Sequence, residues 1–171
     1  DGPQAAVRYL IGGGTLVAAG TDGSINILLS VPHVAVTNEG TDELRIAGTA
    51  IAPGRTIILP DDEIGQQLAS VPSAHLESAP PIMTVVRQLP PIEGVPTAIA
   101  PSPRKRGFLV SGDTGHIALF HGTSGRRLIA ERFHNDGITT VAMAPKANGL
   151  VAAAGRNVLR VIIDNPHPET S

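Results

Sequence analysis

Residues 97–120 read TAIAPSPRKRGFLVSGDTGHIALF, and residues 140–163 read TVAMAPKANGLVAAAGRNVLRVII, a second version of the same pattern. In each copy a short apolar run ends at Ala-Pro, a loop leads to a second apolar run, and a tight turn precedes a third. The copies are about 44 residues apart, counted from Ala100 to Ala144. A repeat of about 40–45 residues made of short strands is typical of the blades of a β-propeller.

The composition supports an all-β chain. Nineteen glycines and 15 prolines among 171 residues indicate many turns and little helix. The net charge of −2 gives no basic bias, so we expect no nucleic-acid partner. Cysteine is absent, which excludes disulfides, thiolate nucleophiles and cysteine-based zinc sites. Only 16% of the residues are charged, so we expect part of the surface to be covered by another molecule.

The length and the turn pattern predict a single domain over residues 1–171, made of about three to four incomplete antiparallel blades. One blade is complete, with predicted strands at 97–100, 107–111, 116–121 and 127–133. Residues 138–163 supply three strands without a fourth. An N-terminal strand or another molecule must cover that edge, or it stays exposed. Residues 7–30 resemble a third copy, with predicted strands at 7–11, 15–19 and 24–29.

The region between these copies is less regular. Short strands are predicted around His33–Thr37, Leu44–Ala47 and Thr56–Leu59. Residues 61–81 are predicted to form a loop-rich insertion between blades, with one or two helical turns at 61–68. Three prolines within it break any longer helix. A strand is predicted to follow at 82–89.

No set of residues predicts a catalytic, cofactor or metal site. Gly12-Gly13-Gly14 is followed by strand-like residues, whereas a dinucleotide loop opens a helix. The histidines are isolated, and His116 and His121 fall on opposite faces of one predicted strand. Ser111 and Asp113 lie too close in sequence to His116 for a hydrolase triad, which draws its members from distant positions. We therefore expect a protein that is not an enzyme.

The strongest charge cluster is basic. Arg104, Lys105 and Arg106 lie in one loop, and Arg126 and Arg127 lie on the same blade. These cations are the candidate contact for an anion or an acidic partner. The simpler interpretation of such a charge run is a solvated hairpin tip.

The blade residues resemble the WD40 family of propellers. Residues 133–145 look like that family's histidine-containing loop and first strand, and residues 109–120 look like its second and third strands. The family's closing Trp-Asp is replaced by Phe120-His121 and Ile163-Asp164, so its His–Ser–Asp–Trp bonding network is at best partial here. This resemblance implies architecture only, since propellers host many functions.

The last residues carry a narrower resemblance. The run VIIDNPHPETS, residues 161–171, and the blade style of residues 109–120 are similar to the end of a propeller-like insert in the long form of PstC. PstC is the permease subunit of the ATP-driven bacterial phosphate importer, and this insert lies between its first two membrane helices on the periplasmic side. The resemblance implies that the chain is the C-terminal part of such an insert, with residues 165–171 leading toward a membrane helix.

That resemblance implies a non-catalytic periplasmic domain, attached to the bacterial inner membrane through the rest of its chain and acting in interaction or regulation during phosphate import. The implied partners are the companion permease, the ATPase and the periplasmic phosphate-binding protein. Because uncovered blade edges can pair between copies, we also expect this chain to self-associate. A generic WD40-like protein-interaction scaffold is the alternative, and flanking apolar spans of about 20 residues would favour the permease over it. A propeller hydrolase or lyase would need converging acids and histidines that the sequence does not supply.

Overall fold

The computed structural model describes residues 3–61, 64 and 71–163. Strands dominate the described chain, which confirms the predicted all-β class. The predicted helical turns at 61–68 fall mostly outside the described residues, and the tail at 165–171 falls wholly outside them. No helix within the described ranges is long and apolar enough to cross a membrane. In chain order the described strands are β1 (Gln4–Tyr9), β2 (Thr15–Gly20), β3 (Ile25–Asn38), β4 (Leu44–Ile46), β5 (Thr49–Ile51), β6 (Thr56–Pro60), β7 (Ala74–Leu89), β8 (Pro96–Pro101), β9 (Gly107–Gly112), β10 (His116–His121), β11 (Arg127–Arg132), β12 (Ile138–Met143), β13 (Gly149–Ala154) and β14 (Asn157–Ile162).

The chain forms two compact units. Unit 1 comprises Asp1–Leu29 and Val85–Ser171, and unit 2 comprises Ser30–Thr84. The length predicts one undivided domain, whereas unit 2 has a core of its own, formed by Val36, Ile46, Ile51 and Ile64. The chain leaves unit 1 within β3 and re-enters it within β7. Unit 2 therefore interrupts the repeat pattern of unit 1 in sequence.

Unit 2 is an antiparallel unit with a buried polar side chain. The second half of β3 pairs with β6, and β4 forms a hairpin with β5, a strand that the sequence did not predict. Asn38 is fully buried and donates from Nδ2 to the carbonyl oxygens of Asp42 and Ile51, at 2.8 Å each. Its Oδ1 accepts from the Gly40 amide at 2.9 Å. Asn38 thus provides hydrogen-bond partners for three backbone groups and restrains the loop between β3 and β4.

Strand β7 differs from its prediction. The strand expected at 82–89 begins at Ala74 and passes through Pro80 and Pro81. Residues 74–81 of the predicted loop-rich insertion are therefore strand. Proline is tolerated in a strand where its missing amide has no partner to bond, and most of β7 is exposed.

Unit 1 contains three antiparallel sheets. The first sheet holds β1, β2 and β3, with β7 also paired to β3; the middle sheet runs from β8 to β11; the last sheet runs from β12 to β14. The middle strands lie within one residue of their predicted bounds, whereas β1 begins at Gln4 rather than at residue 7. Within residues 71–163 no fourth strand pairs with β14, as predicted for the last blade.

The first strand of each sheet carries an irregularity at the same place. A bulge bends its strand and increases the local twist, so its position is a structural signature. Its repetition indicates that the three sheets follow one blade pattern. The pairing register shifts at three equivalent places: Gln4/Ala6 in β1, Pro96/Ala98 in β8 and Ile138/Thr140 in β12.

Strands β8, β9 and β10 of the middle sheet are buried on both faces, whereas β11 is largely exposed. On one face Phe108 and Phe120 join a core shared with the first sheet. On the other face Leu109 and Ile117 join a core shared with the last sheet. Burial on both faces requires apolar residues at successive positions rather than at alternate ones. This requirement explains the continuous apolar run in β9.

The two outer sheets each use only one face for these cores. In the last sheet Val158 and Ile162 are 76% and 70% exposed, and in the first sheet Tyr9 is 61% exposed. The pairing register places Val158 opposite Ala153, on the face away from the core residue Ala152. We call the exposed face of the first sheet and the exposed face of the last sheet the outer faces of unit 1. They lie at the two open ends of its set of sheets.

The turn between β9 and β10 contains a glycine that contacts the loop between β11 and β12. Gly115 has φ +83°, and its carbonyl oxygen accepts from the Phe133 amide at 2.9 Å. A Cβ added at Gly115 would overlap the carbonyl oxygen of His134. Only glycine allows this close approach of backbone to backbone.

Replacing Gly115 with alanine is therefore expected to destabilise unit 1 through both strain and overlap. Gly13→Ala is the matched control, because Gly13 also has positive φ but has open space around its Cα. Gly115→Ala should lower the free energy of unfolding by about 1–3 kcal/mol more than Gly13→Ala does. Chemical denaturation measures this difference, and equal losses would show that the close approach is absent.

The stacked pair of aromatic side chains in the middle sheet gives a second testable prediction about stability. Phe108 and Phe120 are fully buried and stack with ring centroids 5.4 Å apart. Phe108→Ala should cost about 3–5 kcal/mol, because it removes buried area and leaves a cavity. Val158→Ala, at an exposed site, should change stability by less than about 0.5 kcal/mol. Urea unfolding of both variants tests the placement of Phe108, which a loss below about 1 kcal/mol would contradict.

Candidate anion or partner site

A buried serine holds the basic loop that follows β8. Ser102 is 2% exposed, and its Oγ accepts from the amide of Lys105 at 3.1 Å and from that of Arg104 at 3.5 Å. The Gly107 amide donates to the carbonyl oxygen of Lys105 at 2.8 Å. The loop backbone is therefore tied to itself, while the side chains of Arg104, Lys105 and Arg106 are exposed.

Two clefts flank this loop, and Lys105 and Arg106 line both of them. The basic cleft, of about 550 Å³, lies between residues of the first and middle sheets. The apolar cleft, of about 490 Å³, lies between residues of the middle and last sheets, and Lys146 adds a third cation to its lining. Both volumes fall in the range of small-molecule sites.

The basic cleft is positively charged. Arg87, Lys105 and Arg106 line it, and no aspartate or glutamate of the described part of the chain does. The Nη1 of Arg87 donates to the carbonyl oxygen of Thr123 at 2.7 Å, and Thr123 also lines the cleft. That bond fixes the guanidinium at the cleft wall and leaves its other donors for a ligand.

The structure brings together only part of the predicted cation cluster. Lys105 and Arg106 share the clefts, whereas Arg104 lines neither, and Arg126 and Arg127 lie apart from both. Arg127 donates from Nη1 to the carbonyl oxygen of Pro91 at 3.1 Å. These three cations remain exposed and conform to the solvated interpretation of the charge run.

Arg87 is the functional candidate that sequence reasoning missed. It lies in β7, between Val86 and Gln88, well before the basic loop in sequence. A single cation in an exposed strand carries no motif. Only the packing of the first sheet beside the middle sheet places Arg87 near Lys105.

The residues of the rejected hydrolase triad have separate partners. The hydroxyl of Ser111 is buried and lies 3.0 Å from that of Thr97. The Oδ1 of Asp113 accepts from the backbone amide of Val95, in the loop before β8, at 2.8 Å. The Nε2 of His116 lies 3.3 Å from Glu93. Each of the three side chains therefore contacts a different residue of the segment 93–97.

His134 fills the place expected for a WD40-like loop histidine, with different partners. Its Nδ1 accepts from the Asp136 amide at 3.0 Å, and its Nε2 lies 3.2 Å from Nδ2 of Asn157. It thus joins the loop before β12 to the first residue of β14. The WD40-type network is replaced here by a shorter local one.

The remaining acids and histidines form no metal centre within the described ranges, where no group of three or more such ligands converges. Hydrogen bonds from the side chain and backbone of Ser24 hold the pKa of Asp22 below its ordinary value. That shift reflects the tight turn between β2 and β3, since the Asp22 carboxylate accepts from the Ser24 amide at 3.0 Å.

Taken together, the repeated sheets define a propeller-like fold that is not closed. No family model matches the sequence, and no curated protein matches it. Among solved structures, the chain is similar to the β-propeller domain of Cps50 (Swd1) from Myceliophteria thermophila, with a TM-score of 0.61 and 17% identity. The similarity covers 97% of this chain and 36% of that one, so this chain spans about a third of that domain's chain. This likeness concerns the fold, and it confirms the predicted propeller-like blades.

The position of Ser102 predicts a local effect of its removal. Ser102→Ala should leave the Lys105 amide without its acceptor and raise its hydrogen-exchange rate by about tenfold. Ser124→Ala, in another turn of the same sheet, should leave that rate unchanged. Amide exchange followed by NMR measures both variants. An unchanged Lys105 rate in Ser102→Ala would contradict the described loop.

Proposed function

We propose that the chain is a non-catalytic interaction domain whose partners cover the outer faces of unit 1. The observation that carries the proposal is the exposure of apolar side chains on these faces, Tyr9 at one end and Val158 and Ile162 at the other. Clustered exposed apolar residues mark interaction sites in soluble domains. A closed propeller covers such faces with further blades, and this chain aligns with only 36% of a propeller domain.

The bonding of the titratable residues supports the non-catalytic part of the proposal. Ser111, Asp113 and His116 each bond to a different residue of the segment 93–97, and among the described residues no carboxylate lines the basic cleft beside its cations. General acid–base chemistry needs such groups within reach of one reacting atom. The clefts are therefore better suited to binding than to catalysis.

For the cellular setting, we propose a periplasmic domain of the permease subunit of a bacterial phosphate importer, in the inner membrane. The support is the resemblance of residues 161–171 and of the blade run at 109–120 to the end of the PstC insert. The proposed partners are the other subunits of the importer: the companion permease, the ATPase and the periplasmic phosphate-binding protein. Contact with them would regulate or support phosphate import.

Site-specific photo-crosslinking in the full-length protein tests this function. A photoreactive amino acid at position 158 or 9 should give adducts with an importer subunit or with another part of the same permease chain. The same residue at position 131, on the outer strand of the middle sheet, is the control and should give few adducts. Absence of adducts from positions 158 and 9 would contradict the interaction proposal.

The identity of the crosslinked proteins separates the permease from the WD40-like scaffold. Adducts confined to proteins outside the importer, together with a full-length protein that fractionates away from the membrane, would favour the scaffold. The similarity to a β-propeller domain fits the scaffold alternative slightly and carries no information on phosphate import. Importer subunits in the adducts would favour the permease.

The outer faces also predict self-association of the isolated 171-residue chain. Light scattering should show a mass that rises with concentration, because uncovered apolar faces and the edge of β14 can pair between copies. The double variant Val158→Glu, Ile162→Lys should reduce this rise, and Glu131→Lys should not. A strictly monomeric chain at high concentration would contradict the prediction.

A further inference from the structure

We infer that the basic cleft binds a phosphate monoester with an apolar organic part, independently of the cellular setting proposed above. The first step is charge. The described residues place Arg87, Lys105 and Arg106 around one cleft with no lining carboxylate, and none of these three forms an ion pair with a described acid. A dianionic phosphate would compensate this charge, and guanidinium groups match its oxygen geometry.

The second step is preorganisation. The bond between Arg87 and the carbonyl oxygen of Thr123 orients the guanidinium before any ligand arrives. Ser102 restrains the backbone that carries Lys105. A cation site whose members are already positioned loses less conformational entropy on binding than a set of free side chains does. Arg87, together with the restrained backbone at Lys105, therefore distinguishes the basic cleft from an ordinary solvated charge run.

The third step is the apolar wall and the size of the cleft. Leu10 and Ile27, both buried, line the cleft together with Leu29 and Val86. A volume of about 550 Å³ exceeds what a bare phosphate fills and suits a small organic molecule. The combination of apolar wall and cations selects an anion that carries an apolar group.

The glycine turn between β1 and β2 keeps the cleft open. Gly12 and Gly13 have φ +100° and +70°, and open space surrounds the position of a Cβ at each of them. Gly12 and Gly14 line the cleft. Backbone without side chains at this wall leaves room for a ligand to approach the cations.

Calorimetry of the 171-residue chain at low salt tests the inference with three probes. Phenyl phosphate carries the anion and the apolar ring, inorganic phosphate carries the anion alone, and phenol carries the ring alone. We expect phenyl phosphate to bind at least about tenfold more tightly than either of the other two. Its affinity should fall as salt is added, because exposed charges are screened. No heat with millimolar phenyl phosphate would overturn the inference, as would equal affinities for phenyl phosphate and phenol.

Variants locate the site. Arg87→Gln should weaken phenyl phosphate binding about tenfold, and Lys105→Gln combined with Arg106→Gln should weaken it further. Arg104→Gln, in the same loop but outside the cleft lining, should change it less than twofold. A larger loss from Lys146→Gln than from Arg87→Gln would assign binding to the apolar cleft and overturn the inference. Unfolding midpoints report whether each variant remains folded, and Arg87→Lys, which keeps the charge, should retain part of the affinity.

Discussion

Strands β8, β9 and β10 of the middle sheet can be buried on both faces only if a sheet lies against each face. Strand β9 alternates Phe108 and Val110 on one side with Leu109 on the other, and both sides are core. Water on either side would expose several large apolar side chains at once, at a cost of about 1.5–3 kcal/mol each. The first and last sheets of unit 1 are therefore required by the middle one, and a propeller-like set of sheets is the arrangement that provides them.

The same arrangement explains where function can reside. Each outer sheet packs one face against the middle sheet and leaves its other face exposed. This is why Tyr9 and Val158 are exposed at the two ends. Where neighbouring sheets meet, their loops enclose the basic and apolar clefts around Lys105 and Arg106. The proposed interaction surfaces and the proposed ligand cleft are thus both consequences of three packed sheets without closure. Among the described acids and histidines, Asp22, His121 and His134 bond to backbone amides of nearby turns or loops.

The sequence was most informative where local pattern and tertiary role agree. The strands of the middle sheet can be predicted from apolar runs separated by glycine-containing turns. Their predicted bounds are within one residue of the observed ones. Strand β7 was not predicted in full, because Pro80 and Pro81 oppose strand in general and are tolerated only in an exposed strand. Arg87 could not be associated with Lys105, since their proximity depends on sheet packing rather than on spacing. The separate core of residues 30–84 was hidden because β4, β5 and β6 are short and resemble blade strands, while β3 and β7 run on into unit 1.

The central claim is that unit 1 is one set of three blade-like sheets and that unit 2 is an interruption within the first of them. Replacing residues 30–84 by an Asn-Gly turn between Leu29 and Val85 tests it most directly. Amide hydrogen exchange should then show β1, β2, β9 and β13 protected as in the parent chain, with a single cooperative unfolding transition. Loss of protection in β1 and β2, with β9 and β13 unaffected, would contradict the account, because the first sheet would then depend on unit 2 for its fold.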